Sequence, residues 1–227
     1  FSLTKWDDLP AVPFYMHKGS DNVFNSGDYI LFYAQGPVKW DCDKNGQWRH
    51  TQNPYSHYGY YFVTDNASHQ KKIALSTKKY DTNNVTDVDW YTAYSVHEKD
   101  ELNLIDATGV NGGGREFYGE VLNIKNKNVS IQFPMQNVRT DKNTYCKVDL
   151  AAYSSESTTT VKVNYAGTTT ARTLPAISIS DYYTKAITDS VIVATKANSK
   201  TTQIVNIYFT STTSGAVTYL NYVEINA

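Results

Sequence analysis

Apolar and polar residues alternate with a period of two through most of the second half of the chain. The alternation runs through VSIQF, YCKVDLAAY, VKVNY, AISIS, VIVA, IVNIYF and VTYLNYVEI, with turn residues between the segments. Successive side chains of a β-strand point to opposite faces of its sheet, so this alternation predicts strands. Strands this numerous, with no amphipathic helical segment between them, predict an antiparallel sandwich or jelly roll.

The last of these strands gives the most specific prediction about a buried face. Strict alternation places Val217, Tyr219, Val223 and Ile225 on one face, together with Asn221. Leu220 and Tyr222 then lie on the opposite face, so we expect that face to be partly buried as well. The segment SSESTTT at residues 154–160 is expected to be an exposed loop between two strands.

Short apolar runs separated by turn clusters characterise the first half. AVPFYM, YILFYA and YGYYFVT are typical of strands, with the aromatic residues Tyr61 and Phe62 expected in a core. Asn45-Gly46, between Trp40 and Trp48, predicts the tip of a β-hairpin, because tight turns need residues that tolerate positive φ. Residues 88–104 are the only stretch that favours a helix.

The two halves differ in composition. Residues 1–120 hold all four Trp, all five His and most of the aromatic residues, whereas the remainder is rich in Thr and Ser. This shift predicts two domains in an all-β chain. We expect an aromatic-rich, irregular β-domain at residues 1–118 and a jelly-roll, galactose-binding-like sandwich at residues 119–227.

Charge and hydropathy exclude two classes of partner. A net charge of -1 gives no basic footprint for nucleic acid. No apolar run approaches the roughly 20 residues of a transmembrane helix. The two cysteines, Cys42 and Cys146, lie far apart, which leaves open either one disulfide bridge or two buried thiols.

Candidate catalytic chemistry concentrates in VHEKDELNLIDATGVNGGGREFYGE, at residues 96–120. The three glycines match no phosphate-binding pattern, and His97-Glu98 lacks the HExxH spacing of zinc peptidases. The pair therefore indicates a strand end and a turn more than an acid/base pair. A Cys-His nucleophile that pairs Cys42 or Cys146 with His50, His57 or His97 stays open, because such partners need only meet in space. No GxSxG motif supports serine hydrolase chemistry.

The loop SDNVFNSGDY, at residues 20–29, is a candidate calcium site. Asp21, Asn25 and Asp28 carry the oxygen ligands that Ca²⁺ prefers, but their spacing is not that of an EF-hand. Asx side chains more often form the turn itself, which is the interpretation we favour. No other cofactor is expected.

Exposed aromatic residues are the remaining candidate for a contact surface. Trp48 and Tyr55, with Arg49 between them in sequence, are expected at the surface, where flat rings can stack on sugars or anchor a protein partner.

Several long segments in order resemble a known family. GDYILFYAQGPVKW, HTQNPYSHYGYYFVT, VHEKDELNLI with GREFYGE, and the closing YLNYVEIN resemble the N-terminal, non-catalytic region of gingipain-like cysteine peptidases. The likeness is closest to the PorU-like sortases, the C-terminal signal peptidases of the type IX secretion system of Bacteroidetes. In that family a downstream domain carries the catalytic Cys and His, each next to a glycine-containing turn. Cys42 and Cys146 are followed by Asp and Lys, and no His precedes Gly, so no catalytic residue carries over.

The resemblance implies a non-catalytic accessory region that packs against or positions a downstream peptidase domain. It also implies partners among exported protein substrates or secretion components, and export to the periplasm or the outer-membrane surface. Asp189-Ser190-Val191 matches a short O-glycosylation pattern of exported Bacteroidetes proteins, which makes Ser190 a candidate acceptor. The alternatives are a carbohydrate-binding module, an adhesin-like surface module and a free-standing cysteine hydrolase.

Overall fold

The computed structural model describes residues 10–65, 71–74, 76, 83, 85–104, 115–181 and 184–227. Within these ranges the regular structure is almost entirely β, which confirms the predicted all-β class. The strands are β1 (Phe14–His17), β2 (Tyr29–Phe32), β3 (Val38–Cys42), β4 (Trp48–Gln52), β5 (Tyr94–Glu98), β6 (Val121–Asn123), β7 (Asn128–Pro134), β8 (Asn143–Tyr153), β9 (Thr159–Tyr165), β10 (Thr168–Leu174), β11 (Ile187–Lys196), β12 (Thr202–Ser211) and β13 (Val217–Asn226). No helix in the described ranges is long and apolar enough to cross a membrane.

Two antiparallel sheets form the predicted sandwich. One has four strands in the order β10-β9-β12-β7, and the other has β11-β8-β13-β5, with β6 also paired to β13. The inward-facing residues form one apolar core that includes Phe133, Tyr165, Leu150 and Ile207. The period-2 pattern therefore predicted β7, β8, β9, β11, β12 and β13 correctly. The segment AISIS, at residues 176–180, is not a strand, although Ile177 is buried.

The helix expected at residues 88–104 is wrong. This stretch contains β5, which pairs antiparallel with the end of β13, with Tyr94 opposite Asn226 and Glu98 opposite Tyr222. The sequence between Trp90 and Leu104 has no period-2 alternation of its own. This segment is a strand because its backbone pairs with residues from the far end of the chain. Tertiary pairing overrides a weak local preference here.

The chain divides into two compact units. One contains the described parts of Phe1–Lys39 and Thr51–Asp89, and the other contains Trp40–His50 and Trp90–Ala227. The second unit, called the sandwich unit below, thus includes β5 and a hairpin from the first half of the chain. The predicted domains at residues 1–118 and 119–227 stay a prediction.

A β-bulge changes the faces of the last strand. The register of β13 against β8 shifts between Leu220 and Tyr222. Thr218 and Leu220 are buried before the shift, and Val223 and Ile225 are buried after it. The prediction that Val217 and Tyr219 share a buried face with Val223 and Ile225 is therefore wrong, because one extra residue in a bulged strand reverses the alternation.

The first unit contains the antiparallel hairpin β1–β2, with Phe14 opposite Phe32. The run YGYYFVT, predicted as a strand, has no regular structure. Phe62 is 81% exposed, so its expected place in a core is wrong. Tyr61 is also exposed, and its hydroxyl donates a hydrogen bond to the carbonyl oxygen of Gln35 (3.2 Å).

Candidate functional site

The hairpin β3–β4 brings His50 to the five-stranded sheet of the sandwich unit. Its turn follows the prediction from Asn45-Gly46: Gly46 has φ of 77°, and its amide donates to the carbonyl oxygen of Asp43 (3.0 Å). The Asp43 carboxylate accepts hydrogen bonds from the amides of Gln47 and Asn45. These bonds, that from Gln47 foremost, lower the pKa of Asp43.

His50 lies between the buried carboxylate of Glu224 and the partly buried carboxylate of Glu98. Its side chain is 3% exposed, and its Nε2 lies 2.9 Å from Glu98 Oε2 on β5. On the other side of the ring, Nδ1 lies 2.7 Å from the Tyr94 hydroxyl and 3.5 Å from Glu224 Oε2. The Tyr94 hydroxyl in turn donates to Glu224 Oε2 (2.8 Å). These four side chains form a continuous chain of hydrogen bonds across β4, β5 and β13.

The neighbouring carboxylates favour the protonated, positively charged form of His50. Burial opposes the charged imidazolium, but the hydrogen bonds and negative charges of Glu224 and Glu98 outweigh it and raise the pKa of His50 to about 9. The protonated ring donates from Nε2 to Glu98 and from Nδ1 to the Tyr94 oxygen. Burial, together with the Glu224 carboxylate, raises the pKa of Tyr94, so its hydroxyl keeps its proton.

Aromatic rings enclose this cluster. Tyr222 meets the His50 ring edge-on with centroids 4.9 Å apart, and Trp40 meets Tyr94 edge-on at 5.0 Å. Lys147 donates to the Tyr222 hydroxyl (2.5 Å) and lies 3.6 Å from Asp149 Oδ2. Edge-to-face packing favours one arrangement of these aromatic rings.

The cluster fits a structural role better than a catalytic one. Both ring nitrogens of His50 are committed to acidic or hydroxyl partners, and among the described residues no cysteine or serine shares a hydrogen bond with it. Within the described ranges, no group of His, Cys, Asp and Glu has the arrangement of a metal site. What the cluster does is fasten β4 to the outer face of the five-stranded sheet.

Three tryptophans of the sandwich unit lie on β3, on β4 and shortly before β5, and all three are partly exposed. Trp40 packs on Tyr94, and the backbone of Trp48 exchanges two hydrogen bonds with the Asn226 side chain. Tyr94 and Asn226 are themselves cross-strand partners. Trp90 lies just before Ala93, whose backbone forms hydrogen bonds with the backbone of Ala227. Lys142 lies over the Trp90 ring. We call Trp40, Trp48, Trp90 and Tyr91 the aromatic corner. Their exposed fractions are 49%, 38%, 52% and 81%.

The predicted contact residues are all at the surface and are divided between the two compact units. Trp48 belongs to the aromatic corner, and the neighbouring Arg49 side chain is 64% exposed, 3.7 Å from Asp43. Tyr55 is 73% exposed but belongs to the other compact unit. Ser190 lies on edge strand β11, half-buried, and its amide donates to Asp189 Oδ1 (2.7 Å). Its glycosylation stays a prediction.

The loop at residues 20–29 uses its carboxylates to build turns. Asp28 accepts from the amides of Gly19 and Asn25, each at 2.9 Å. Asp21 accepts from the Val23 amide (3.0 Å) and from the Asn25 side chain (2.8 Å). All four carboxylate oxygens thus already have a donor. Calcium binding here stays a prediction.

His97 and Glu98, adjacent in sequence, point to different partners. Glu98 bonds to His50, whereas His97 Nε2 lies 2.9 Å from Glu120 Oε1, which also contacts Lys99 (2.8 Å). Burial raises the pKa of Glu120, but the hydrogen bonds from Lys99 and His97 prevail and lower it. The pair is therefore the end of a strand, as expected. The three glycines at 112–114 lie outside the described residues.

The cysteines are both free. Cys146 is fully buried in the core, and burial raises the pKa of its thiol to about 12. Cys42 is exposed at the end of β3. Of the two alternatives left open by the sequence, the buried-thiol interpretation fits Cys146 and not Cys42.

The sequence did not reveal that His50, Glu98 and Glu224 form one cluster. His50, Glu98 and Glu224 are separated by 48 and 126 residues, and each lies in a segment without a catalytic or metal-binding motif. One retrospective signal exists: Glu224 is a charged residue inside the otherwise apolar alternation of VTYLNYVEI. A buried carboxylate needs a partner, which a sequence pattern alone does not identify.

The fold is similar to part of a known structure. Dimeric latent PorU from Porphyromonas gingivalis aligns over 97% of this chain, with a TM-score of 0.67 and 20% sequence identity. This chain corresponds to 19% of the PorU chain, so it spans a small part of that protein's length. The chain therefore has the fold of a PorU region.

Weaker likenesses involve carbohydrate-binding modules. A CBM36 module in complex with calcium and xylotriose aligns over 59% of this chain and 98% of its own, at 16% identity and a TM-score of 0.35. The C-terminal CBM6 of LamC, a laminarinase from Zobellia galactanivorans, aligns over 48% of this chain and 93% of its own, at 17% identity and 0.27. These TM-scores carry no argument about this chain. No protein-family model matches the sequence, and no curated protein matches it.

Proposed function

We propose that this chain is a non-catalytic accessory region of an exported, gingipain-like peptidase of the PorU type. The observation that carries the proposal is the likeness to PorU, which extends over nearly the whole of this chain but less than a fifth of PorU. A region of that kind works beside the rest of a larger protein. Its task is to pack against or position the peptidase domain.

The aromatic corner is the surface that fits this task. Trp, Tyr and Arg dominate the energetic centres of protein interfaces, because each covers a large area and combines an apolar body with a polar group. The Trp40 ring packs edge-on against Tyr94, the Trp48 backbone is bonded to the Asn226 side chain, and Lys142 lies over the Trp90 ring. Arg49 adds an exposed cation beside them.

Export follows from the same proposal. A PorU-type accessory region acts in the periplasm or at the outer-membrane surface, where exported proteins and secretion components are the further partners. The modification of Ser190 belongs to this proposal, because the half-buried position of that residue on an edge strand leaves its environment partly open.

A binding titration tests the proposal. The 227-residue chain is titrated calorimetrically with the peptidase domain of its parent protein, expressed separately. We expect saturable binding that Trp48→Ala and Trp90→Ala each weaken at least about tenfold, the scale of an interface hot spot. Tyr208→Ala, an exposed aromatic change on the four-stranded sheet, serves as the matched control and leaves binding unchanged.

Two results would contradict the proposal. If the two components do not bind at 100 μM each, the chain does not dock on the peptidase domain. If Trp48→Ala and Tyr208→Ala weaken binding equally, the aromatic corner is not the docking surface. The alternative of a carbohydrate-binding or adhesin-like module would then gain weight if the same Trp48 variant lost binding to a polysaccharide.

A further inference from the structure

The outer face of the four-stranded sheet is an ordered array of polar side chains. Cross-strand pairing aligns its outward residues into rows, two of which run across all four strands and one across three. One row is Ser130, Asn206, Asn164 and Thr169; the next is Asn128, Tyr208, Lys162 and Ala171; the third is Thr210, Thr160 and Thr173. We call these three rows the polar face.

The polar face is poor in charge. In its three rows, all within the described part of the chain, Lys162 is the single charged side chain, whereas 19% of the whole chain is charged. Solvated sheet faces commonly carry charges, which keep a flat surface from associating with others. Amide and hydroxyl groups take their place here, so the face offers neutral donors and acceptors.

Side-chain hydrogen bonds hold part of the array in position. Asn164 Nδ2 donates to Thr169 Oγ1 (2.8 Å), and the hydroxyls of Thr160 and Thr173 lie 3.0 Å apart. Each bond joins cross-strand neighbours of β9 and β10. Groups that are already ordered lose less conformational entropy when a ligand binds.

Tyr208 supplies a ring in the middle of this polar surface. Its side chain is 42% exposed, and its direct neighbours across the strands are Asn128 and Lys162. An aromatic ring with a hydroxyl edge can lie against the C–H face of a sugar while amides next to it bond to the sugar hydroxyls.

We propose that the polar face binds a neutral polysaccharide, with Tyr208 and Asn206 as its central contacts. A flat, repeating grid of donors and acceptors, about 4.8 Å apart across strands and nearly 7 Å apart along them, suits an extended ligand with repeating hydroxyls. A charged polymer would require a cluster of cations, and an apolar protein partner would require a larger apolar area than Tyr208 and Ile204 provide. The proposal does not rest on docking at the aromatic corner, which involves the other sheet.

Affinity gel electrophoresis of the 227-residue chain tests the proposal. The probes are three neutral polysaccharides, laminarin, dextran and hydroxyethyl cellulose, with dextran sulfate as the charged comparison. We expect retardation by at least one neutral polymer that persists at 0.5 M NaCl. Tyr208→Ala and Asn206→Ala each weaken it about tenfold, which corresponds to one lost ring contact or a pair of hydrogen bonds. Trp48→Ala, on the aromatic corner, is the matched control and retains full retardation.

Three outcomes overturn the proposal. They are migration unaffected by all three neutral polymers, retardation by dextran sulfate alone, and retardation that Tyr208→Ala and Asn206→Ala leave intact, whether or not Trp48→Ala removes it. Circular dichroism of each variant confirms that the sandwich is folded, and since both polar-face residues are partly or fully exposed on strand β12, their loss leaves the core unchanged.

Discussion

His50 Nε2 and Glu98 Oε2 lie 2.9 Å apart, although 48 residues separate them in sequence. With Glu224 on the opposite side of the ring, this pair fastens a hairpin from the first half of the chain to a sheet formed mainly by the second half. The positive charge of the protonated His50 ring offsets one of the two negative charges that Glu98 and Glu224 bring to this site.

Removal of the imidazole leaves those carboxylates without their cation. We expect His50→Ala to lower the free energy of unfolding by about 3 kcal/mol, the usual cost of breaking a buried ion pair from one side. Urea denaturation followed by circular dichroism measures the change. Arg49→Ala, the exposed neighbour on the same strand, is the control and shifts stability by less than about 0.5 kcal/mol. Equal, small effects of both changes would show that the pair contributes little.

The same residue makes stability depend on pH. The pKa of His50 is about 9 in the folded chain and 6.5 in its ordinary state, so folding favours the protonated ring. Its contribution, about 3 kcal/mol by linkage, is complete below pH 6.5 and is lost as the pH rises through about 9. We expect the difference in unfolding free energy between the wild type and His50→Gln to shrink from pH 6 to pH 9.5. A difference that stays constant or grows over this range would contradict the assigned proton.

Such a cluster marks the limit of what the sequence predicted. Strands β7 to β9 and β11 to β13 followed from alternation, because each has one buried and one solvated face. The strand β5 did not, since its backbone partners in β13 lie more than 120 residues away, and the bulge at Asn221 reversed faces in a segment whose sequence alternates smoothly. The sequence offered His50 only as a candidate partner of a cysteine, because its carboxylate partners are set by strand pairing.

The two thiols differ in reactivity. Cys42 is exposed, whereas Cys146 is buried with a pKa raised to about 12, and only thiolates react readily. Iodoacetamide at pH 8 is therefore expected to add one label to the native chain and two labels after unfolding in guanidinium, counted by mass spectrometry. Cys42→Ser should take no label in the native state. Native labelling of neither cysteine, restored only by a reductant, would instead indicate a disulfide bridge.

Calcium is expected to leave the stability of the chain unchanged. Both oxygens of Asp21 and of Asp28 accept hydrogen bonds from donors of their own loop, so a cation would have to displace or share them. Thermal unfolding in 2 mM CaCl₂ and in 2 mM EDTA should give the same midpoint. A higher midpoint in calcium that Asp28→Asn abolishes would establish the loop as a calcium site after all.

The coding sequence after codon 227 is the first measurement to make, because we propose that this chain is the accessory region of a PorU-type peptidase. We expect the reading frame to continue into an α/β domain with a His and a Cys, each beside a glycine-containing turn. A reading frame that stops at Ala227, or that continues only into further β-modules, would contradict the claim and leave the polar face and the aromatic corner as surfaces of a free-standing binding protein.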